Sequence, residues 1–238
     1  MSGHSHFKTV AATKNANDAK KGKIFSKWAK IITIAAKDGG DPNKNSKLKA
    51  VIDQARNFNM PKENIERAIK KGTGELESEA LAEVLYEGFG PGGIGLIIEG
   101  ITDNTNRTLG EIRNTLNQNN GKMAGEGAVR WMFERKGVIA ITPGGKSKEE
   151  LELWAIELGA DDVRWNQDIL EVHTKPEDLD GVKKSLEEKQ LKIDSAGLQY
   201  VPKEEVQITE KEKQQAEKLF EALDENDSVN DIYSNLKN

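Results

Sequence analysis

The sequence contains no cysteine, and its 238 residues include only six phenylalanines, four tryptophans and three tyrosines. The lack of cysteine excludes disulfide bridges, thiolate metal ligands and a cysteine nucleophile, and it fits a reducing compartment. No apolar run approaches the roughly 20 residues that a membrane-spanning helix requires. The basic N-terminus is not followed by the apolar segment of a secretory signal. We therefore expect a soluble, cytoplasmic protein with no membrane association.

Charge is unevenly divided along the chain. Residues 1–72 contain 16 Lys and Arg against 6 Asp and Glu, a net charge of +10, whereas residues 73–238 contain 19 against 34, a net charge of −15. A basic part attracts a polyanion, and an acidic remainder repels it and so orients the encounter. Clusters of like-charged residues are often only solvent-exposed surface with no partner. We favour a nucleic-acid partner because the basic excess is concentrated in so short a segment.

Apolar residues in the basic part follow helical spacing in three segments, which lie within residues 24–35, 48–58 and 65–69. Gly39 and Gly40 end the first helix, and Gly72 caps the third. Each segment has one apolar stripe, and the Lys and Arg residues lie mostly outside the stripes. The pattern therefore predicts a three-helix bundle with a basic surface.

A polar, Glu-rich connector precedes a segment with a different pattern. Residues 84–89, 94–102 and 129–133 have the composition of strands, and residues 109–116 have helical spacing. One helix is too few to cover such a sheet. We therefore expect the final helix and strand of the chain, after Thr209, to return and complete this domain.

Residues 137–204 have the order strand, helix, strand, strand, helix, strand, which is typical of a ferredoxin-like βαββαβ domain. The predicted fold class is α+β multidomain, with an N-terminal three-helix domain followed by two α/β domains. The predicted boundaries are residues 1–75 for the basic helical domain, 76–136 plus 205–238 for a discontinuous α/β domain, and 137–204 for the inserted ferredoxin-like domain. No heptad seam is present, so we expect a monomer.

Two glycine motifs resemble nucleotide-binding loops. Residues 88–93 match the G-x-G-x-x-G pattern, but Pro91 interrupts it and a strand follows, so we interpret it as a hairpin turn. Residues 145–147 resemble the end of a phosphate-binding loop, but Ala140 occupies the position of its first glycine. Ser147 explains the same segment as a helix cap. We therefore predict no nucleotide cofactor.

Three carboxylates, Glu87, Glu99 and Asp103, could approach one another in the middle sheet. Paired carboxylates can bind Mg²⁺ or transfer protons, but nothing fixes the separation of these three, and we favour solvated or ion-paired surface groups. No nucleophile pattern accompanies them. The prediction is a protein without catalytic residues, metal ions or cofactors.

The segment from Asp103 to Thr108 joins a predicted strand to a predicted helix. Asn104 can cap the helix, which is a structural role. Alternatively, Asn104, Asn106 and Arg107 present side-chain amides and a guanidinium to phosphates or base edges. The sequence leaves both interpretations open.

Five segments together are specific to one family: Gly3–Ser5, Gly22–Phe25, Asn59–Gly72, Tyr86–Gly93 and Thr102–Asn104. Through them the sequence resembles the YebC family of bacterial proteins and their mitochondrial relatives over essentially its whole length. The resemblance implies three domains and no known catalysis. It implies a DNA-binding transcriptional regulator, or a ribosome-associated translation factor that assists synthesis through proline-rich stretches.

We therefore predict a non-enzymatic, DNA-binding transcriptional regulator of this type. The alternative is a translation factor that binds ribosomal RNA and relieves stalling at proline-rich stretches. The partner is DNA or structured RNA in either case. Phe7 and Trp28 are candidate stacking groups, although the spacing of Trp28 favours the core. The predicted nucleic-acid contacts are Lys14, Lys20, Lys21, Lys23, Lys27, Lys47, Lys49, Arg56, Lys70 and Lys71, with Asn104 and Arg107 as further candidates.

Overall fold

The computed structural model describes residues 18–237, with side chains from residue 21 onward. Within these limits the chain forms seven α-helices and two four-stranded antiparallel sheets, which confirms the predicted α+β class with its N-terminal helices. The elements in chain order are α1 (Asp18–Ala36), α2 (Ser46–Asn57), α3 (Lys62–Gly72), β1 (Ala82–Phe89), β2 (Gly95–Thr102), α4 (Thr105–Gln118), β3 (Lys122–Met123), β4 (Phe133–Thr142), α5 (Lys148–Glu157), β5 (Asp162–Asn166), β6 (Ile169–Thr174), α6 (Leu179–Glu188), β7 (Lys192–Pro202), α7 (Glu210–Asp224) and β8 (Val229–Ser234).

The helical unit, which comprises α1, α2 and α3, packs its three apolar stripes into one core that includes Ile32 and Leu48. Asn45 joins α1 to α2. Its side-chain oxygen accepts a hydrogen bond from the backbone N–H of Leu48 at 2.9 Å, and its amide donates to the carbonyls of Ala35 and Gly39, each at 2.8 Å. One side chain thus caps the start of α2 and satisfies two carbonyls at the end of α1.

The central unit is the sheet β3-β1-β2-β8 with helices α4 and α7. The two helices cover one face of this sheet, where Leu96, Leu116 and Phe220 belong to a common apolar core. β8 pairs with β2, so the last strand of the chain lies in the sheet that β1 begins. The predicted hairpin turn is confirmed, because the Gly93 N–H donates to the Gly90 carbonyl at 3.1 Å between β1 and β2.

The distal unit is the sheet β5-β6-β4-β7 with helices α5 and α6. All its neighbouring strands are antiparallel, and this strand order with its βαββαβ sequence is the predicted ferredoxin-like arrangement. The Ser147 hydroxyl accepts from the Glu150 N–H at 3.2 Å at the start of α5. The residues of the second glycine motif therefore serve a helix cap and its preceding turn.

One predicted strand is wrong. Residues 130–132 form a 3₁₀ turn, and the following strand, β4, begins only at Phe133. β4 then pairs with β7 from Phe133–Pro202 to Thr142–Lys192. At the base of this ladder the Met132 carbonyl accepts from the Lys203 N–H at 2.9 Å, so the chain enters and leaves the distal unit at neighbouring points.

Candidate nucleic-acid interface

Three lysines of α1 make contacts with the central unit. They contact the acidic turn, which we define as Asp224–Asp227, after α7. Lys27 donates to the carbonyl and the carboxylate of Asp224 at 2.7 and 3.1 Å, and Lys30 donates to the Asp227 carbonyl at 2.9 Å. The Lys23 ammonium forms an ion pair with the Glu225 carboxylate.

The acidic turn changes the assignment of two predicted contacts. The side chain of Lys27 is only 5% exposed, so this residue is not available to a phosphate and the prediction for it is corrected. Lys23 is exposed but already paired, and its hydrogen bond with Glu225 raises the pKa of its ammonium. The physical reason is the same for Lys23 and Lys27. Each ammonium already contacts a carboxylate or carbonyl oxygen of the acidic turn, where a phosphate oxygen would otherwise bind.

The remaining described candidates lie on α2 and α3, which we call the basic helix pair (residues 46–72). This segment carries seven Lys and Arg against three Asp and Glu, a net charge of +4. Lys47, Lys49, Arg56, Lys70 and Lys71 are all exposed. Lys47 lies 3.9 Å from Glu83 and Arg56 lies 3.4 Å from Asp53. The described residues provide no ion-pair partner for the other three.

The basic helix pair is held rigidly by its own core. The Trp28 ring stacks on the Phe58 ring with centroids 5.4 Å apart, and Trp28 is buried, which confirms the core role that its spacing indicated. Gly72 lies so close to α1 that a Cβ atom there would be 2.3 Å from the Thr33 carbonyl oxygen. The cations at the end of α3 are thus fixed relative to α1.

Asn104 and Arg107 make local contacts. The Asn104 side chain caps α4 by accepting from the Arg107 N–H at 3.0 Å. The Arg107 guanidinium lies 2.5 Å from the Asp103 carboxylate and 3.7 Å from that of Glu111. The structure therefore gives Asn104 the capping role, and two carboxylates already compensate the charge of Arg107.

Two of the predicted contacts lie outside the described part of the chain. Lys14 precedes residue 18, and the side chain of Lys20 precedes residue 21. Phe7, the other candidate stacking group, also lies outside. Lys21 is exposed near the start of α1.

The three candidate carboxylates do not converge. Glu87 is buried and binds backbone N–H groups, Glu99 contacts Arg135 and Tyr233, and Asp103 contacts Arg107. Within residues 21–237 no group of His, Asp and Glu side chains is placed to hold a metal ion. None of the helices in the same part of the chain is long and apolar enough to span a membrane.

The loop that connects β3 to β4 carries an exposed tryptophan that the sequence did not single out. Trp131 is 65% exposed, although Val129 and Phe133 on either side of it are buried. In the strand that the sequence predicted over residues 129–133, these three residues would share one face. The 3₁₀ turn at residues 130–132 removes Trp131 from that face.

A cleft of about 520 Å³ lies at the end of the β1–β2 hairpin. Lys122 lines it, and its ammonium lies 5.6 Å from the centroid of the Phe89 ring. The other lining residues are Gly90, Gly92, Gly93, Asn120 and Gly121. The cleft is open and its lining presents one cation and one aromatic ring.

The chain matches two family models over nearly all its length. The model described as the TACO1/YebC protein N-terminal domain matches residues 5–75, and the model described as the TACO1/YebC second and third domain matches residues 81–236.

Curated relatives and a solved structure resemble the whole chain. A probable transcriptional regulatory protein of Geobacter sulfurreducens is 45% identical, with 99% of this chain and 96% of the relative covered. A protein of the same name from Pseudothermotoga lettingae is 44% identical, with 100% and 94% covered. The crystal structure of a conserved hypothetical protein from Aquifex aeolicus has a TM-score of 0.87 at 42% identity, with 92% of this chain and 91% of that chain covered.

Proposed function

Because the chain belongs to the TACO1/YebC family, whose curated relatives are named probable transcriptional regulatory proteins, we propose that it is a non-enzymatic regulator that binds DNA. The observation that carries the proposal is the exposed basic helix pair, with its net charge of +4 on a rigid core. The proposed phosphate contacts are Lys47, Lys49, Arg56, Lys70 and Lys71. Phosphate contacts position a protein on a duplex and carry little sequence information.

A second candidate is a translation factor that binds ribosomal RNA, and one feature of α3 favours it. Glu63 and Glu66 lie in the first half of this helix, whereas Arg67, Lys70 and Lys71 lie in the second. A recognition helix of a helix-turn-helix protein contacts base edges with its N-terminal residues. The acidic start of α3 opposes that mode and favours binding by backbone shape, which is how proteins recognise double-stranded RNA.

We further propose that the protein acts in the cytoplasm as a monomer. We propose the domains to be residues 1–75, 76–136 plus 205–238, and 137–204, although β4 already begins at Phe133, four residues before the proposed start of the inserted domain. Light scattering of the purified chain tests the monomer.

The salt dependence of binding tests the phosphate contacts. We expect log K for a short fluorescein-labelled DNA duplex to fall with log salt at a slope of about −4.5, because five neutralised phosphates release counterions. Replacing Lys49, Lys70 and Lys71 together by alanine is expected to reduce the slope by about 3. Fluorescence anisotropy at several salt concentrations measures both values.

A matched control uses three exposed lysines elsewhere, replaced together by alanine: Lys184, Lys211 and Lys218. This control is expected to bind as the unaltered chain does. A slope near zero, or an equal loss in both triple variants, contradicts the proposed interface.

Crosslinking in cells, followed by sequencing of the bound nucleic acid, separates the two candidate functions. Promoter DNA among the crosslinked fragments supports the transcriptional regulator. Ribosomal RNA, together with co-sedimentation of the protein with ribosomes, supports the translation factor and contradicts the first candidate.

A further inference from the structure

We propose that Trp131 is a stacking platform for an unpaired base of the bound nucleic acid. This site lies on the segment between β3 and β4, and it would add a contact with a base to the phosphate contacts of the basic helix pair. The inference rests on the proposed nucleic-acid binding, and it is carried by the loop that holds Trp131.

A buried carboxylate fixes the shape of this loop. Glu87 on β1 accepts hydrogen bonds from the backbone N–H groups of Gly127 at 2.8 Å, Val129 at 2.7 Å and Arg130 at 2.9 Å. The N–H donors satisfy a carboxylate that would otherwise be costly to bury. The loop is therefore held at three points immediately before the tryptophan.

The tryptophan ring itself is held in place but contributes little to the core. Its Nε1–H donates to the Ala128 carbonyl at 3.0 Å, while 65% of the residue is exposed. Trp28, in contrast, is 6% exposed and stacked within the helical core. An indole that is fixed in orientation and exposed loses little conformational entropy when a partner ring stacks on it.

Local charge favours a nucleic acid over an acidic or neutral protein as the occupant. Residues 120–136 contain four Lys and Arg against two Glu, a net charge of +2 within the part of the chain whose net charge is −15. Arg130, the residue before Trp131 in the chain, has a side chain that is 44% exposed, and its guanidinium lies 3.5 Å from Glu87 and 3.8 Å from Glu126. A guanidinium beside an exposed aromatic ring is the usual composition of a surface that binds single strands.

The cleft at the hairpin borders the same loop. Gly95 pairs with Phe89 of the cleft, and a Cβ atom at Gly95 would be 2.9 Å from Val129 Cγ1 and 3.0 Å from Met132 Sδ. The segment that carries Trp131 thus packs against the strand pair that ends in the cleft.

The chemistry of the proposed ligand is an unpaired nucleobase in single-stranded RNA or DNA. Every unpaired base has a π face, so stacking on the indole does not depend on sequence. The bases of an intact duplex are stacked on one another, and their faces are not accessible to the indole. The site therefore predicts a contribution to single-strand binding that is absent for a duplex.

The test uses the full chain with Trp131→Ala and Trp131→Phe, and as probes a fluorescein-labelled oligouridylate and a DNA duplex of similar charge. We expect Trp131→Ala to weaken oligouridylate binding about 5- to 100-fold, the range typical of one stacked base. Trp131→Phe is expected to retain most of the affinity, because phenylalanine also stacks. Duplex binding and the salt slope are expected to stay unchanged in both variants.

Leu153→Ala serves as the matched control, since Leu153 is also an exposed apolar residue but lies on α5 of the distal unit. Equal oligouridylate affinity in Trp131→Ala and the unaltered chain overturns the inference, as does an unaltered chain that binds the duplex but not the oligouridylate. An unaltered chain that binds neither probe overturns the proposed function itself, so the two failures are distinguishable.

Discussion

At the scale of single residues, Glu87 links the stability of the central unit to pH. Its burial raises the pKa of the carboxyl, but hydrogen bonds from the N–H groups of Gly127, Val129 and Arg130 outweigh burial and hold the pKa below its ordinary value. We expect Glu87→Gln to lower the free energy of unfolding by about 2 kcal/mol, since one accepting oxygen becomes a donor that faces N–H groups. Chemical denaturation at neutral pH measures the loss.

The pH dependence of this difference follows from the lowered pKa. A depressed pKa in the folded state stabilises the protein above the unfolded value, about 4.3, and this stabilisation is lost as the pH falls through the folded value. The difference between the unaltered chain and Glu87→Gln is therefore expected to shrink in acid below about pH 4. Glu126→Gln, an exposed neighbour, is expected to show almost no difference at any pH, and a pH-independent loss in Glu87→Gln contradicts the assignment.

Single residues also show where sequence patterns are ambiguous. In the sequence, Asn104 fits the role of a helix cap and that of a phosphate contact equally well. The hydrogen bond that its side chain accepts from the Arg107 N–H identifies it as the cap. Val129 and Phe133, two positions before and after Trp131, are buried. Trp131 is exposed only because of the short 3₁₀ turn at residues 130–132, which the spacing of apolar residues does not predict. Trp28 was assigned correctly because its apolar stripe, from Ile24 to Ala35, is regular over about three helical turns.

At the scale of elements, the packing of α3 on α1 depends on the absence of a side chain at Gly72. A Cβ atom there would lie 2.3 Å from the Thr33 carbonyl oxygen and 2.6 Å from Ala36 Cβ. Because backbone cannot yield as a flexible side chain can, we expect Gly72→Ala to lower the free energy of unfolding by about 2 kcal/mol. Denaturant unfolding followed by circular dichroism measures the change.

Gly22→Ala is the matched control. Gly22 is exposed within α1, and nothing lies within 4 Å of the position of a Cβ atom there. Alanine is the better helix former, so this substitution is expected to stabilise the helical unit by up to about 1 kcal/mol. Destabilisation by both substitutions would mean that the loss at Gly72 does not arise from the close approach to Thr33.

The elements that the sequence predicted are those with long, regular apolar spacing. All three helices of the basic part and the ferredoxin-like order of the distal unit follow from periodicity and from turn residues. β3 was missed because two residues, Lys122 and Met123, give no period. β7 extends from Lys192 to Pro202 because its ladder with β4 stabilises residues whose own strand propensity is weak.

At the scale of the whole molecule, the acidic turn joins the helical unit to the central unit through Lys27. The Lys27 side chain is almost fully buried, and removal of its ammonium leaves the Asp224 carboxylate with less compensation of its charge. We expect Lys27→Met to reduce the stability of the contact by about 2 kcal/mol and to increase hydrogen exchange in α1. Mass spectrometry of exchanged peptides measures the change.

Lys23→Met is the comparison, because Lys23 contacts the same turn from an exposed position. An exposed ion pair contributes less than about 1 kcal/mol, so α1 is expected to keep its protection in this variant. Similar exchange in the two variants would contradict a special role for the buried amine.

The whole-molecule arrangement is the part that the sequence predicted least. The charge division suggested that the first lysines face a polyanion, but Lys23, Lys27 and Lys30 face a turn about 200 residues later in the chain. Local patterns carry no information on contacts between residues so far apart. Only the return of the last strand could be anticipated, since one helix leaves a sheet uncovered, and β8 does lie beside β2.

The hydrogen bond between Met132 and Lys203 has a mechanical consequence. If the chain were pulled from its two ends, tension would pass first through the helical and central units, because the chain enters and leaves the distal unit at adjacent points. Once the hydrogen bond between Met132 and Lys203 broke, β4 and β7 would separate one residue pair at a time, starting from the pair Phe133–Pro202. The distal unit would therefore be the last to bear tension, and it would unfold by successive loss of strand pairs.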